Sequence, residues 1–599
     1  INVNNIQFNE PKFEIYSQKE KAKALDLKKF TIPFPSFLKS LKINNLNLTN
    51  GEVLTYRSEG VNYSQSSSFK LDLNSNDIYI SPIEGEKFNR VESGNINTRI
   101  SEFQLVLEDK SHEARLDEMI FNKNEKSLIL KNFALIPSRY GQPDNMFNIT
   151  APSVILNGFE IENAYEYNDY FFDKIEFSSP KVFITLKDSI NKSGLQKFSD
   201  LNLYDYLEPY LNTLEIGEFI FKGASINLIT AKTKLQQENI NINIKNIQVG
   251  SDTKKQALLN SDGFEFTTFN YHRKSADQLY GFYIDTIKYS SLTNKAELRS
   301  IRISPLVSNE QIARKKVYQV DVVNAKINSA ILSGFDFDKW LDEKIVNGEK
   351  LVIGKTELDI LRNKRYPFNK NQRPLWPQQM LYHIKQPFEI DSVYLKPSTI
   401  LYSELLDFGD DPVTIDFTEV SAQLGKITNI KVPGRKQKKL TIKAKGTVLQ
   451  NAKIDLIVNF LPDNPEYSHF VKGSLSPVDM KTFNSVVEKS AMLTVERGQV
   501  NQFEFEFNAN NTQSTGELFF DYYDLKIAVL DFRKGDTIKS KLSSFMANNF
   551  MVHSKNPRGK VFESQQIEYL RDPERSILNY WWKSIFNSAK ITLGIEKEN

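Results

Sequence analysis

The stretch "RLDEMIFNKNEKSLILKNFALIP" at residues 115–137 is written a second time, in largely different letters, as "YIDTIKYSSLTNKAELRSIRISP" at residues 283–305. Laid over each other without a gap, they place Asp117 on Asp285, Met119 on Ile287, Phe121 on Tyr289, Leu130 on Leu298 and Phe133 on Ile301. Few identities survive, yet the apolar and polar classes keep step for 23 residues. A tighter signature sits inside: apolar, any, apolar, two polar or small residues, apolar, any, apolar. It fits Leu128-Leu130-Phe133-Leu135 and Ala296-Leu298-Ile301-Ile303 in these two stretches. Elsewhere it fits Ile1-Val3-Ile6-Phe8, Leu41-Ile43-Leu46-Leu48, Leu214-Ile216-Phe219-Phe221, Ile242-Ile244-Ile247-Val249 and Phe388-Ile390-Val393-Leu395.

Residues i and i+2 of a strand share a face, so the two-residue step would send the second apolar pair to the other side. A bulge at the step absorbs one residue, keeps all four side chains on one face and bends the strand. A helix does not hold positions 1, 3, 6 and 8 on one narrow stripe. The signature therefore predicts curved strands, apolar on one face and filled with Asn, Lys, Asp and Glu on the other.

A longer period runs through the chain. "SSPKVFITL" (178–186) resembles "IGKTELDIL" (353–361) and "NEPKFEIYS" (9–17), each followed some 30 residues later by another signature. "NGFEIENAYEYNDYFFDKIEF" (157–177) parallels "SGFDFDKWLDEKIVNGEKLVI" (333–353). The unit is roughly 170 residues, far longer than a common solenoid rung, so each copy holds many strands. The first copy reads as incomplete. Short helical insertions are expected at 19–30 and 194–214, and Pro- and Gly-bearing loops at 136–145 and 362–377.

With 599 residues the chain exceeds one ordinary core, and 77 Lys+Arg against 74 Asp+Glu leave no global field for nucleic acid. The absence of cysteine excludes disulfides, thiolate metal sites and a cysteine nucleophile. Five dispersed histidines (His112, His272, His383, His469 and His553) show no metal-ligand spacing, and "DFGDDP" (407–412) lacks the rest of a kinase motif set. No catalytic residue, metal or cofactor is expected. "KVPGRKQKKLTIKAK" (431–445) reads as a basic hairpin tip, or as a contact for acidic lipid headgroups.

From Gly473 the style changes. A helix-like "DMKTFNSVVEK" precedes strands in which "VERGQV" and "STGEL" read as turns, with Gly498, Val500, Gly516, Leu518, Tyr522, Asp524 and Leu525 spaced as a recurrent module. Over residues 473–595 the chain resembles the AsmA-like family, bacterial bridge-like lipid transfer proteins of the AsmA and TamB group, and its closing "DPERSILNYWWKSIFNSAKITLGI" is similar to the tails of Bacteroidetes-like members. The resemblance carries no catalytic motif. It implies a long twisted β-sheet with a greasy groove, a periplasmic location, an inner-membrane anchor on an N-terminal segment absent from this chain, and a role in moving phospholipid towards the outer membrane.

The expected fold is thus mainly β: a long, twisted, curved antiparallel sheet forming an elongated apolar groove, with short helical insertions and a C-terminal helix. The expected division is a repeated region at 1–430, a C-terminal module at 431–560 and an amphipathic tail at 561–599. Met119, Phe121, Leu130, Phe133, Ile287, Tyr289, Leu298 and Ile301 are the expected groove lining, because they occupy equivalent positions in the two aligned stretches. In the tail, Asp572 reads as helix cap, Pro573 as first turn and Gly594 as stop. Ile577, Leu578, Trp581, Trp582, Ile585 and Lys583 there suit a membrane interface, and equally a helix that plugs the end of the sheet. Expected partners are phospholipid acyl chains, a membrane at one or both ends and proteins of the cell envelope. The competing reading is a structural or adhesive β-repeat protein whose apolar faces close into a dry core.

Overall fold

The computed structural model describes residues 1–17, 39–59, 62–82, 89–106, 112–138, 145–186, 211–229, 234–250, 260–370, 373–406, 411–431, 439–491, 493–530, 552–559 and 564–595. The chain is mainly β with a few short helices. It divides into two compact units, Ile1–Asn270 with Ile287–Leu292, and Tyr271–Thr286 with Thr293–Asn599. The expected insertions at 19–30 and most of 194–214 fall outside the described residues, as does the basic turn beyond Lys431.

The sheet is mixed, which corrects the expected antiparallel one. In the first unit Asp169–Ser178 and Lys181–Leu186 both pair antiparallel with Asn145–Asn157, as two halves of one broken strand. The chain then returns as Thr213–Ile229, parallel to both halves. Asn2–Asn9 and Lys12–Ser17 bear the same parallel relation to Leu41–Glu59. In the second unit, Val346–Ile353 and Thr356–Asn363 pair antiparallel with Asp321–Ser333 and parallel with Phe388–Leu405. Parallel neighbours need a crossover connection, and period-two alternation carries no record of strand direction.

The "NEPK" and "SSPK" likeness marks the break. Glu10 and Ser179 adopt left-handed φ of 51° and 46° just before Pro11 and Pro180. Their amides donate to Thr49 O and Lys222 O, and the proline carbonyls accept from Glu52 N and Ser225 N at 2.8 Å. The third copy breaks at Gly354 in another way, with neither proline nor a left-handed residue, and the Gly354 amide donates to Ser329 O of the flanking antiparallel strand. The second long-range likeness also holds: Ile161–Tyr167 and Phe337–Glu343 are both seven-residue helices, ended by left-handed Asn168 and Lys344.

The two-residue steps keep both apolar pairs on one face, as expected, but not through the expected bulge: no ladder shifts register there, and a left-handed residue takes up the step instead. Asn132, Asn246 and Ser300, each the second residue of a step, have φ of 51°, 53° and 51°. Asp173, Gly217 and Asn246 drop out of neighbouring ladders at the same level, after which pairing resumes in register. Gly217 stands where a Cβ would come 2.7 Å from Asp173 O, so the aligned step leaves no room for a side chain. The outcome is legible in one strand, where Ile244, Ile247 and Val249 are buried while Lys245, Asn246 and Gln248 are exposed.

Residue 430 is no boundary in pairing, because Leu440–Val448 continues antiparallel to Val413–Leu424. Nor is the region after 561 a separate tail: Gln565–Leu570 pairs with Gln513–Val529, and the terminal helix Ile577–Thr592 packs beside it. "VERGQV" and "STGEL" lie inside strands Leu493–Ala509 and Gln513–Val529 rather than at turns. The first is a bulged segment with register shifts around Arg497 and Val500, which lets a Gly-bearing stretch stay in the ladder. In the second, a Cβ on Gly516 would lie 2.1 Å from Glu506 O, so its glycine serves close strand approach. Two helices carry signals that alternation alone does not show. Asn309–Lys316 opens on a Ser308–Gln311 capping box, and Pro377–His383 has proline in its first turn.

Candidate functional site

In the first unit the apolar side of the signature strands gathers into one continuous cluster. Ala151, Val154, Ile175, Ile216, Ile244, Ile247 and Val249 are its buried members. Leu130, Phe133, Leu214, Phe219, Ile242 and Phe264 pack against them while keeping part of their surface exposed. Aromatic rings extend it, with Phe177 and Phe221 edge to face at 5.0 Å and Phe219 beside both.

Of the expected lining, Leu130 and Phe133 are on this cluster. Met119 is half-buried and pairs with Ile100 on one side and Leu130 on the other. Phe121 is buried, 5.8 Å from the Phe159 ring. Tyr289 is buried with its ring 5.3 Å from Phe264, and Ile287 is half-buried; both belong to the first unit. Leu298 and Ile301 belong to the second, paired with Ala330 and Ile327 and half-buried. Four of the seven buried members, Ile216, Ile244, Ile247 and Val249, carry the signature but lie outside the aligned stretches.

The opposite face is charged. Glu118 is 7 % exposed beneath the side chains of Arg99 and Lys131, which both pair with it. The Lys131 ammonium, followed by the Arg99 guanidinium, holds its carboxyl below the usual range against the cost of burial. Lys174 pairs with Glu176 at 2.6 Å, and Asn243 donates to Glu218 at 2.9 Å. One face thus gathers apolar side chains while the other carries ion pairs and hydrogen bonds.

The end of the second unit is built differently. Leu518, Ala452 and Ile567 are 0 % exposed, and Val471 and Phe507 are 1 % exposed, inside a closed core. The terminal helix covers it. Ser576 caps this helix by accepting from Asn579 N, whereas Asp572 turns the preceding chain by accepting from Glu574 N, so the cap lies one turn later than expected. Gly594 follows the end with φ of 76°, as expected. Tyr580, Ser584 and Ser588 form the inward face, and Ser584 Oγ meets Ser514 Oγ at 2.8 Å. Small side chains at 584 and 588 let the helix lie close to the sheet.

Three of the six residues expected to suit a membrane interface or a plug face the core. Ile577, Trp581 and Ile585 pack on the core, and Trp581 Nε1 donates to His469 Nε2 at 2.9 Å. Leu578 and Trp582 are 68 % and 58 % exposed, Trp582 stacks on Phe586 at 5.1 Å, and Lys583 is half-buried. The helix plugs the core with one face and presents a Leu578–Trp582–Phe586 stripe on the other.

Among the described residues, no group of three or more His, Asp or Glu could hold a metal ion. Among them, too, no helix is long and apolar enough to cross a membrane. A cleft of about 430 Å³ in the second unit is lined by Gln378, Tyr382, His383, Lys431, Asp463 and Tyr467. Its polar walls are already engaged: Tyr382 Oη donates to Asp463 at 2.8 Å, and Lys431 Nζ sits 4.3 Å above the Tyr382 ring. No protein-family model matches this chain, and no curated protein matches it.

Proposed function

We propose that this chain is a non-enzymatic lipid carrier that holds phospholipid acyl chains against the apolar face of its repeated sheet. The observation that carries the reading is the contrast between two kinds of apolar packing in one chain. In the first unit's cluster two of seven buried members are at 2 % exposure or below and signature residues such as Leu130, Phe133, Leu214 and Phe219 stay half-buried, whereas nine of the nineteen buried members of the C-terminal core are at 2 % or below. A half-covered apolar face of this extent favours an apolar occupant. The AsmA-like resemblance of residues 473–595 supports the same reading. It adds the periplasm as location, transfer between inner and outer membranes as role, and envelope proteins as partners.

The exposed stripe of the terminal helix, with Lys583 and Lys590 beside it, is our candidate for membrane contact. Native mass spectrometry of the chain purified in mild detergent tests the carrier reading. Phospholipid bound in stoichiometric or greater amount is the expected result. Its repeated absence assigns the face to a dry contact and the chain to structural or adhesive proteins.

A further inference from the structure

One side chain of the cleft in the second unit is the exception to its engaged polar walls. Gln378, on the short helix Pro377–His383, is 2 % exposed, and neither its Oε1 nor its Nε2 has a hydrogen-bond partner. Among the described residues no other buried amide leaves both polar atoms unmet. Its neighbour shows the ordinary case: Gln379 Oε1 accepts from Trp376 N at 2.9 Å, and Gln379 Nε2 donates to Tyr467 Oη at 3.0 Å. A buried amide without partners weakens the fold that carries it, and such a group calls for a bound species.

The charges around Gln378 define that species. Lys431 Nζ stands 4.3 Å above the Tyr382 ring and makes no ion pair among the described residues. Asp463 lies beyond the hydroxyl of the same ring, accepting from Tyr382 Oη at 2.8 Å, and a carboxylate accepts more than one donor. A cation and an anion thus stand at two sides of one phenol ring, in the cleft that also holds the buried amide. A ligand that meets both carries opposite charges a few bonds apart. An α-amino acid holds its charges on a single carbon, too close together to reach across the ring.

We infer that this cleft is a binding site for a phosphoethanolamine-type zwitterion, a phosphate ester joined by a two-carbon link to a primary ammonium. The phosphate oxygens accept from the Lys431 ammonium and from Gln378 Nε2, and the ligand's ammonium donates to Asp463 and to Gln378 Oε1. The amide oxygen sets the selectivity, because it must accept from an N–H. A primary ammonium supplies one, whereas the quaternary ammonium of a choline ester has none and leaves the buried oxygen unmet. The site stands apart from what the repeated sheet carries. Only a lipid source for its ligand rests on the carrier reading.

The test is isothermal titration of the full chain with soluble glycerophosphoethanolamine, beside glycerophosphocholine, γ-aminobutyrate and inorganic phosphate. Glycerophosphoethanolamine is expected to bind about tenfold more tightly than each of the others, the difference that goes with one charge-assisted hydrogen bond. Gln378→Met puts an apolar side chain of similar length in place of the amide. It is expected to hold or raise the melting temperature while removing the preference. Equal binding of the ethanolamine and choline esters, binding of neither, a preference retained in Gln378→Met, or a lowered melting temperature in that variant overturns the inference. Competition by vesicles of phosphatidylethanolamine assigns the ligand to lipid headgroups, and its absence assigns it to a soluble ester; the site is supported on both results. Phospholipid retained on the chain, with no headgroup preference in the titrations, overturns this site and leaves the carrier reading standing.

Discussion

At the scale of single residues, an acidic substitution separates the two kinds of apolar packing. Leu298 is half-buried, so a carboxylate placed there reaches water, and Leu298→Glu is expected to fold while binding less lipid. Leu518 is 0 % exposed, and Leu518→Glu is expected to cost several kcal/mol and unfold the C-terminal module. Circular dichroism melts with lipid counts on both variants check the pair, and equal loss of folding would overturn the half-open face. The left-handed steps give a second handle. Asn132→Val forces a β-branched side chain into φ of 51°, with an expected cost of about 1–2 kcal/mol, whereas Asn132→Gly should be nearly neutral in denaturant titrations. His469 gives a third. Its Nδ1–H donates to Tyr467 O while Nε2 accepts from Trp581, so the ring is neutral, and burial lowers its pKa from the ordinary histidine value. The unfolded chain then takes up a proton at a pH where the folded one resists it. Stability is expected to fall as pH drops below about 6.5. In His469→Gln this dependence should flatten.

At the scale of elements, the terminal helix serves two faces, and each has its own test. Ending the chain at Arg571 removes Tyr580, Ser584 and Ala589 from the core, so lowered stability of the strands around Leu518 is expected. Trp582→Ser touches only the outer stripe. It is expected to leave the melt unchanged while weakening binding to liposomes of anionic phospholipid and removing a blue shift in tryptophan fluorescence. Unchanged liposome binding would drop the membrane role of the stripe. The helix itself was legible in the sequence, but its inward face was not. Ser584 and Ser588 are polar letters that bury because they are small and back-bond to Tyr580 O and Ser584 O. A hydrophobicity count therefore turns the helix toward its tryptophans. The steps in the strands were legible for the opposite reason, since the change from odd to even positions is written directly into the spacing of apolar residues, although the left-handed residue that makes it was not.

At the scale of the molecule, the repeat was legible and its wiring was not. Internal likeness marked the broken strands and seven-residue helices correctly, because a left-handed residue before proline, present in two of the three broken strands, and a short helix both leave local composition cues. Strand direction leaves no such cue, so the parallel returns came only with the pairing. The wiring bears on how such a chain can lengthen. Each later copy hands over to its own long strand through the same motif: last meander strand, broken strand, parallel return. An in-frame duplication of one whole copy in the gene would reproduce both partners at every seam and create no new pairing problem. Selection could thus add or remove copies as integers, whereas a duplication cut anywhere else would strand an edge without its neighbour.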